Sequence, residues 1–169
     1  MADEAIINMS AAVLPDEIKK ALTGLSVTVT PATANEKWFY GLVNVTNTAD
    51  SDLIRGYFLS NSVGTDTGSA VGTVSTSDKV RFLFIKNTGT TDGTTSSTEA
   101  INICFDGGTA AYNLVDGIEI GAGEAFFCKC PNTTVDNLHA ISVDSNMNDA
   151  GSAGEGDVQC IVAAIIDDV

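Results

Sequence analysis

The sequence predicts an all-β protein: an antiparallel β-sandwich, jelly-roll-like, with a short N-terminal helix and arm. Three observations predict it. Segments rich in β-branched and aromatic residues recur at intervals of roughly 8–15 residues, the spacing of short strands in a sandwich or barrel. Gly, Thr, Ser and Asn crowd the stretches between them, which is turn chemistry. Helical periodicity stops by residue 25, so the βαβ alternation of a parallel α/β sheet never develops. A length of 169 residues suits one domain with its own core.

The elements follow in order. Ala5-Ile6-Ile7-Asn8-Met9 is apolar but too short to make a core alone, so it reads as an arm that packs on something else. Pro15, Asp16 and Glu17 then open a helix with Ile18, Ala21 and Leu22 at helical spacing, and Gly24 ends it. Residues 1–25 are thus an arm and helix, and 26–169 the sandwich. Ser26 to Thr30 alternates as a first strand, and Lys37 to Thr46 (KWFYGLVNVT) follows as a half-buried pleat. Leu53 to Leu59 and Ala70 to Ser75 are weaker strands. Lys79 to Ile85 (KVRFLFI) is strong, with Val80, Phe82 and Phe84 on one face and Arg81, Leu83 and Ile85 on the other. A polar loop around Asp92 follows. Glu99 to Phe105 points Ile101, Ile103 and Phe105 inward. Ala125 to Cys130, Leu138 to Val143 and Asp157 to Ile166 complete the strands.

Charge excludes whole classes of function. Acidic residues outnumber basic ones 22 to 8, a formal net charge of −14, so nucleic-acid phosphates and anionic membranes are repelled. The start lacks the basic region and long apolar core of a secretory signal, which predicts a chain made in a cytoplasm. Four cysteines, Cys104, Cys128, Cys130 and Cys160, fit a reducing compartment as buried thiols; two disulfides, or a zinc site built from all four, are the alternatives.

Chemistry-bearing patterns are sparse. The one histidine, His139, stands in a strand and reads as structural, with no nucleophile or metal motif beside it. Asp66, Asp92, Asp106 and Asp116 sit where turns want them. Asp144, Asn146, Asn148, Ser152 and Glu155 match the ligand spacing of a calcium loop. Asp149, however, holds the place that needs glycine, so a solvated hairpin loop explains the segment better. No catalytic group, cofactor or metal is expected.

The informative anomaly is apolar material on the wrong face. A solvent-facing antiparallel sheet alternates, yet both sets are apolar in Asp157 to Ile166, where Ile161, Ala163 and Ile165 oppose Val158, Cys160 and Val162. Leu83 and Ile85 behave likewise. These strands predict a homo-oligomeric or docking interface, or a face covered by residues 1–25.

The runs Lys86-Asn87-Thr88-Gly89-Thr90-Thr91-Asp92-Gly93, Asp106-Gly107-Gly108-Thr109-Ala110-Ala111-Tyr112-Asn113-Leu114, Ile120-Gly121-Ala122-Gly123-Glu124, Pro131-Asn132-Thr133-Thr134-Val135 and Leu138-His139-Ala140-Ile141 carry a resemblance. So do the strand from Lys37 to Thr46 and the acidic end Ile165-Ile166-Asp167-Asp168. Together they resemble small virion structural proteins of tailed phages, notably those infecting marine bacteria. The resemblance implies a capsid decoration protein without enzymatic activity, resident in the virion, with the major capsid protein or other virion proteins as partners. Adhesion is then expected from Ile6, Ile7, Met9, Leu14 and Ile18 of the arm and helix and from the two-sided strands, while net charge keeps free copies apart. The competing expectation is a carbohydrate- or receptor-binding module of the tail or fibre, stacking sugars on Trp38, Phe39, Tyr57 or Tyr112.

Overall fold

Two four-stranded antiparallel sheets dominate the computed structural model, which describes residues 5–9, 25–33, 35–56, 73–107, 117–130, 133–144 and 153–169. The chain divides into two units, residues 1–34 and 35–169.

In the first unit, strands β1 (Ala5–Met9) and β2 (Leu25–Val29) form an antiparallel pair with Ile7 opposite Val27. The expected arm is therefore a strand, since its β-branched run can satisfy its backbone on β2. The segment 26–30, expected to open the sandwich, pairs with β1 instead. The expected helix from Pro15 to Gly24, with Leu14 and Ile18, lies outside the described residues.

The second unit holds β3 (Glu36–Val45), β4 (Ser51–Asp52), β5 (Lys79–Asn87), β6 (Ala100–Cys104), β7 (Ile118–Ile120), β8 (Ala125–Lys129), β9 (His139–Val143) and β10 (Val158–Asp167). Their order is β3-β10-β5-β8 in one sheet and β4-β9-β6-β7 in the other. Pairing is nested: β3 with β10, β4 with β9, β5 with β8 and β6 with β7, all antiparallel. Two further ladders, β10 with β5 and β9 with β6, close each sheet. A one-turn 3-10 helix, Val135–Asn137, leads into β9.

One apolar core draws on both sheets, as in a β-sandwich. Val43, Val45, Val158, Val162 and Ile166 come from the first sheet and Ile101, Ile103, Ile120 and Ala140 from the second. Leu53 and Ile54, expected within a strand, are buried in that core just after the two-residue β4. Burying each such Val, Leu or Ile contributes about 1.5–3 kcal/mol against the entropy of ordering the chain.

β5 corrects the expected faces. Ile165 of β10 pairs with Phe82 and Ile166 pairs with Val80, so Arg81 is an extra residue in the ladder. That bulge breaks strict alternation. Val80, Leu83 and Ile85 consequently all lie in the core, while Phe82 and Phe84 fall on the opposite face. Leu83 and Ile85, expected at an interface, are fully buried inside the domain and cannot meet a partner. Arg81, displaced from the core, pairs with Asp167.

At the end of β5, the buried Asn87 ties the two sheets together. Its Nδ2 donates to the Glu99 carbonyl at 2.9 Å and the Ile120 carbonyl at 3.3 Å, both at strand ends of the second sheet. Its Oδ1 accepts the Gly89 N–H at 2.9 Å, and Gly89 takes the positive φ of 69° that the turn requires. The loop beyond is polar and largely exposed, as expected. Asp92 caps its tip by accepting the backbone N–H groups of Thr95 and Thr94, which hold its carboxyl well below the usual carboxylate range.

Candidate functional site

Alternation in β3 and β10 decides what the first sheet shows on its outer side. With Phe39, Val43 and Val45 turned into the core, Tyr40 and Leu42 face out, and with Val158, Cys160 and Val162 inward, Ile161, Ala163 and Ile165 face out. The register lines these up across strands. Leu42, Ile161, Lys86 and Ala125 form one row, Tyr40, Ala163, Phe84 and Phe127 the next, and Trp38, Ile165, Phe82 and Lys129 a third.

This is an apolar sheet face where a solvated one would be polar. Tyr40 is 51% and Leu42 60% exposed, and Ile161, Ala163, Phe84 and Phe127 are half-buried. Ile165 and Phe82 are buried, and Trp38 packs edge-on against Phe82 with ring centroids 6.4 Å apart. Of the β10 residues expected at an interface, Ile161 and Ala163 are half-buried on this outer face and Ile165 is buried; Phe84 and Phe127 stand on the same face, where Leu83 and Ile85 were expected. Lys86 and Lys129 stand in its rows, and Glu36 and Asp167 continue the same face beyond Trp38 and Ile165.

The other expected contact residues lie in the first unit. Ile6 is exposed and Ile7 half-buried; Met9 ends β1, and its side chain, like Leu14 and Ile18, lies outside the described residues. Of the aromatics expected to stack sugars, Phe39 is a core residue, Trp38 is half-buried against Phe82, and Tyr57 and Tyr112 lie outside the described residues.

On the outer side of the second sheet, register brings together a row that spacing in the sequence does not reveal. Asp52, His139 and Cys104 are direct cross-strand neighbours. His139 Nε2 lies 3.8 Å from Asp52 Oδ1, and the Cys104 thiol donates to Asp106 Oδ1 at 2.8 Å.

All four cysteines are free thiols. Cys104 lies outside the shared core and Cys160 inside it, which separates them as a common ligand set. Among the described residues no group of three or more His, Cys, Asp or Glu is placed to hold a metal ion. Asp144 and Glu155 of the calcium-like spacing are described; Asn146, Asn148 and Ser152 are not. No helix among the described residues is long and apolar enough to cross a membrane.

Cys128 and Cys130 are a close pair, with Sγ atoms 3.2 Å apart. Hydrogen bonding from the Cys130 thiol lowers the Cys128 value and raises that of Cys130, to which burial adds, while burial alone pushes Cys160 up to about 12. Limiting iodoacetamide at about pH 8 is expected to label Cys128 first and Cys160 only after unfolding. Peptide mass spectrometry reads the order, and equal labelling of Cys160 in the native protein would contradict it.

No protein-family model, curated protein or solved structure matches the chain.

Proposed function

We propose that the chain is a non-enzymatic structural protein of a tailed-phage virion, a capsid decoration protein that docks on the outer surface of the head through the outer face of β3-β10-β5-β8. The observation that carries this reading is the row structure of that face: large apolar side chains aligned across four strands in a chain of net charge −14. A surface of that kind is stable in water only at a cost of about 25 cal/mol per Å² of apolar area, which docking recovers. The virion assignment adds the resemblance of the turn and strand motifs.

The wiring supports the jelly-roll part of the reading. Four nested pairs distributed over two antiparallel sheets are what a long hairpin makes when it rolls up, and jelly rolls carry viral capsid and lectin domains. The lectin alternative has little to stand on here, because Tyr40 alone among the described aromatics of β3 is exposed. One contact of roughly 800 Å² per partner is modest, and a repeating lattice multiplies it. The mutual repulsion of −14 chains keeps unbound copies soluble.

The test is to mix purified protein with heads that lack it and image the particles. Extra density at repeating positions is expected, lost with Phe127→Glu, which puts a carboxylate on the far strand of the docking face. Bare particles together with hits on a glycan array would replace this reading with the sugar-binding one.

A further inference from the structure

Two of the four thiols are neighbours, and the strand that carries them explains why. Alternation in β8 turns Phe126 and Cys128 towards the core, and Cys130, just past the end of the strand, continues the same set. Cys130 is held there by its N–H, which donates to the Arg81 carbonyl at 3.1 Å. Its side chain is buried, while Cys128, opposite Leu83, is half-buried. The Sγ atoms are 3.2 Å apart, against about 2.05 Å in a disulfide, so about 1.2 Å of sulfur movement joins them.

We infer that Cys128 and Cys130 are a thiol–disulfide exchange site, which takes a small disulfide as oxidant and closes into an intramolecular bond. The Cys128 thiolate attacks one sulfur of the small disulfide, forming a mixed disulfide and releasing one small thiolate, which takes up the proton that Cys128 gave to water. Cys130 then attacks the Cys128 sulfur, and its proton leaves with the second small thiol. The two protein thiols lose two electrons and two protons, and the small disulfide is reduced to two thiols. Cys128 attacks first because it is the less buried of the two and because the hydrogen bond with Cys130 favours its thiolate.

The closed bond is expected to reopen easily. Residues two apart in a strand stand about 6.6–6.8 Å from each other, the upper end of the Cα separation of about 4.4–6.8 Å that a disulfide spans. A bond stretched across that distance is strained, and strain makes it reducible. The other two thiols are placed elsewhere: Cys160 is fully buried in the core, and Cys104 stands in the second sheet, donating to Asp106.

The test incubates the reduced full chain, free of oxygen, with bis(2-hydroxyethyl) disulfide at about pH 8. This oxidant is uncharged, so a chain of −14 does not repel it. The intact mass is expected to fall by two hydrogens, and peptide mapping after alkylation in denaturant to find Cys128 joined to Cys130 with Cys104 and Cys160 alkylated. Excess 2-mercaptoethanol is expected to restore the dithiol. Cys130→Ser should stop at one mercaptoethanol adduct on Cys128, and Cys128→Ser should react at least tenfold more slowly than the native protein. In urea, Cys104 and Cys128 should react at similar rates, which assigns the native preference to the fold. An unreacted native protein, a lasting adduct on its Cys128, a bond to Cys104 or Cys160, a ring that survives excess thiol, or an equal preference in urea overturns the inference. The native masses decide even where a serine variant fails to fold. The inference goes beyond the virion reading and does not rest on it, since every measurement uses the free protein.

Discussion

Leu83→Lys is expected to abolish folding, whereas Phe84→Lys, one residue further along β5, leaves a folded domain. Leu83 is fully buried in the apolar core shared by both sheets. An unpaired buried charge costs several kcal/mol, to which the lost leucine packing adds about 2–5 kcal/mol, against a total stability of about 5–15 kcal/mol for a domain. Phe84 is half-buried on the outer face, where a lysine can extend its stem over the sheet and keep its charge in water. Circular dichroism and urea unfolding read the difference. If Phe84→Lys unfolds the protein and Leu83→Lys does not, the inward direction of Leu83 in β5 is wrong.

Asn87→Asp is expected to be the more damaging of two changes at the sheet junction, and to be pH-dependent. Asn87→Ala leaves two carbonyls and one N–H without their buried partner, at about 1–3 kcal/mol each. Asn87→Asp keeps the shape but turns a carboxylate towards the Glu99 and Ile120 carbonyls, so at neutral pH repulsion joins desolvation. The introduced carboxyl is held above its unfolded value near 3.9. The folded state then binds more protons than the unfolded one as pH rises through that interval, and stability falls. Asn87→Asp should therefore melt higher at about pH 5 than at about pH 7. A melting temperature independent of pH, or above that of Asn87→Ala at neutral pH, would contradict the geometry.

Much of the strand content was legible, and the faces were legible only in part. β6 read correctly because Ile101 and Ile103 stand against Asn102, which gives alternation a direction, whereas β3 was legible only as a strand, since Trp38, Tyr40 and Leu42 are as apolar as Phe39, Val43 and Val45. β10 read as two-sided because it is: Val162 points to the core and Ile161 to the outer face. β5 misled because both of its sets are apolar and a single inserted residue, Arg81, changes which set faces inward; pairing partners, and not composition, decide that. β7 went unnoticed since three residues carry too little pattern, and β4 is held by two cross-strand pairs only. The outer apolar face draws on Tyr40 and Leu42, whose outward direction follows from Phe39 and Val43 being core, and on Phe84 and Phe127, which register alone aligns. The row of Asp52, His139 and Cys104 could not be read at all, because three strands far apart in the chain create it.

Nested pairing also sets the order of events during synthesis. Lys37 and Asp168, which form an ion pair at one end of the β3–β10 ladder, are 131 residues apart. At roughly 5–20 residues per second, the ribosome delivers the end of β10 about 7–26 s after the start of β3. Throughout that interval the nascent chain holds an unclosed, sticky ribbon, and contacts of such long range form slowly. Carboxylates strewn along the growing chain are then its protection against neighbours on the same messenger, well before there is any finished surface to protect.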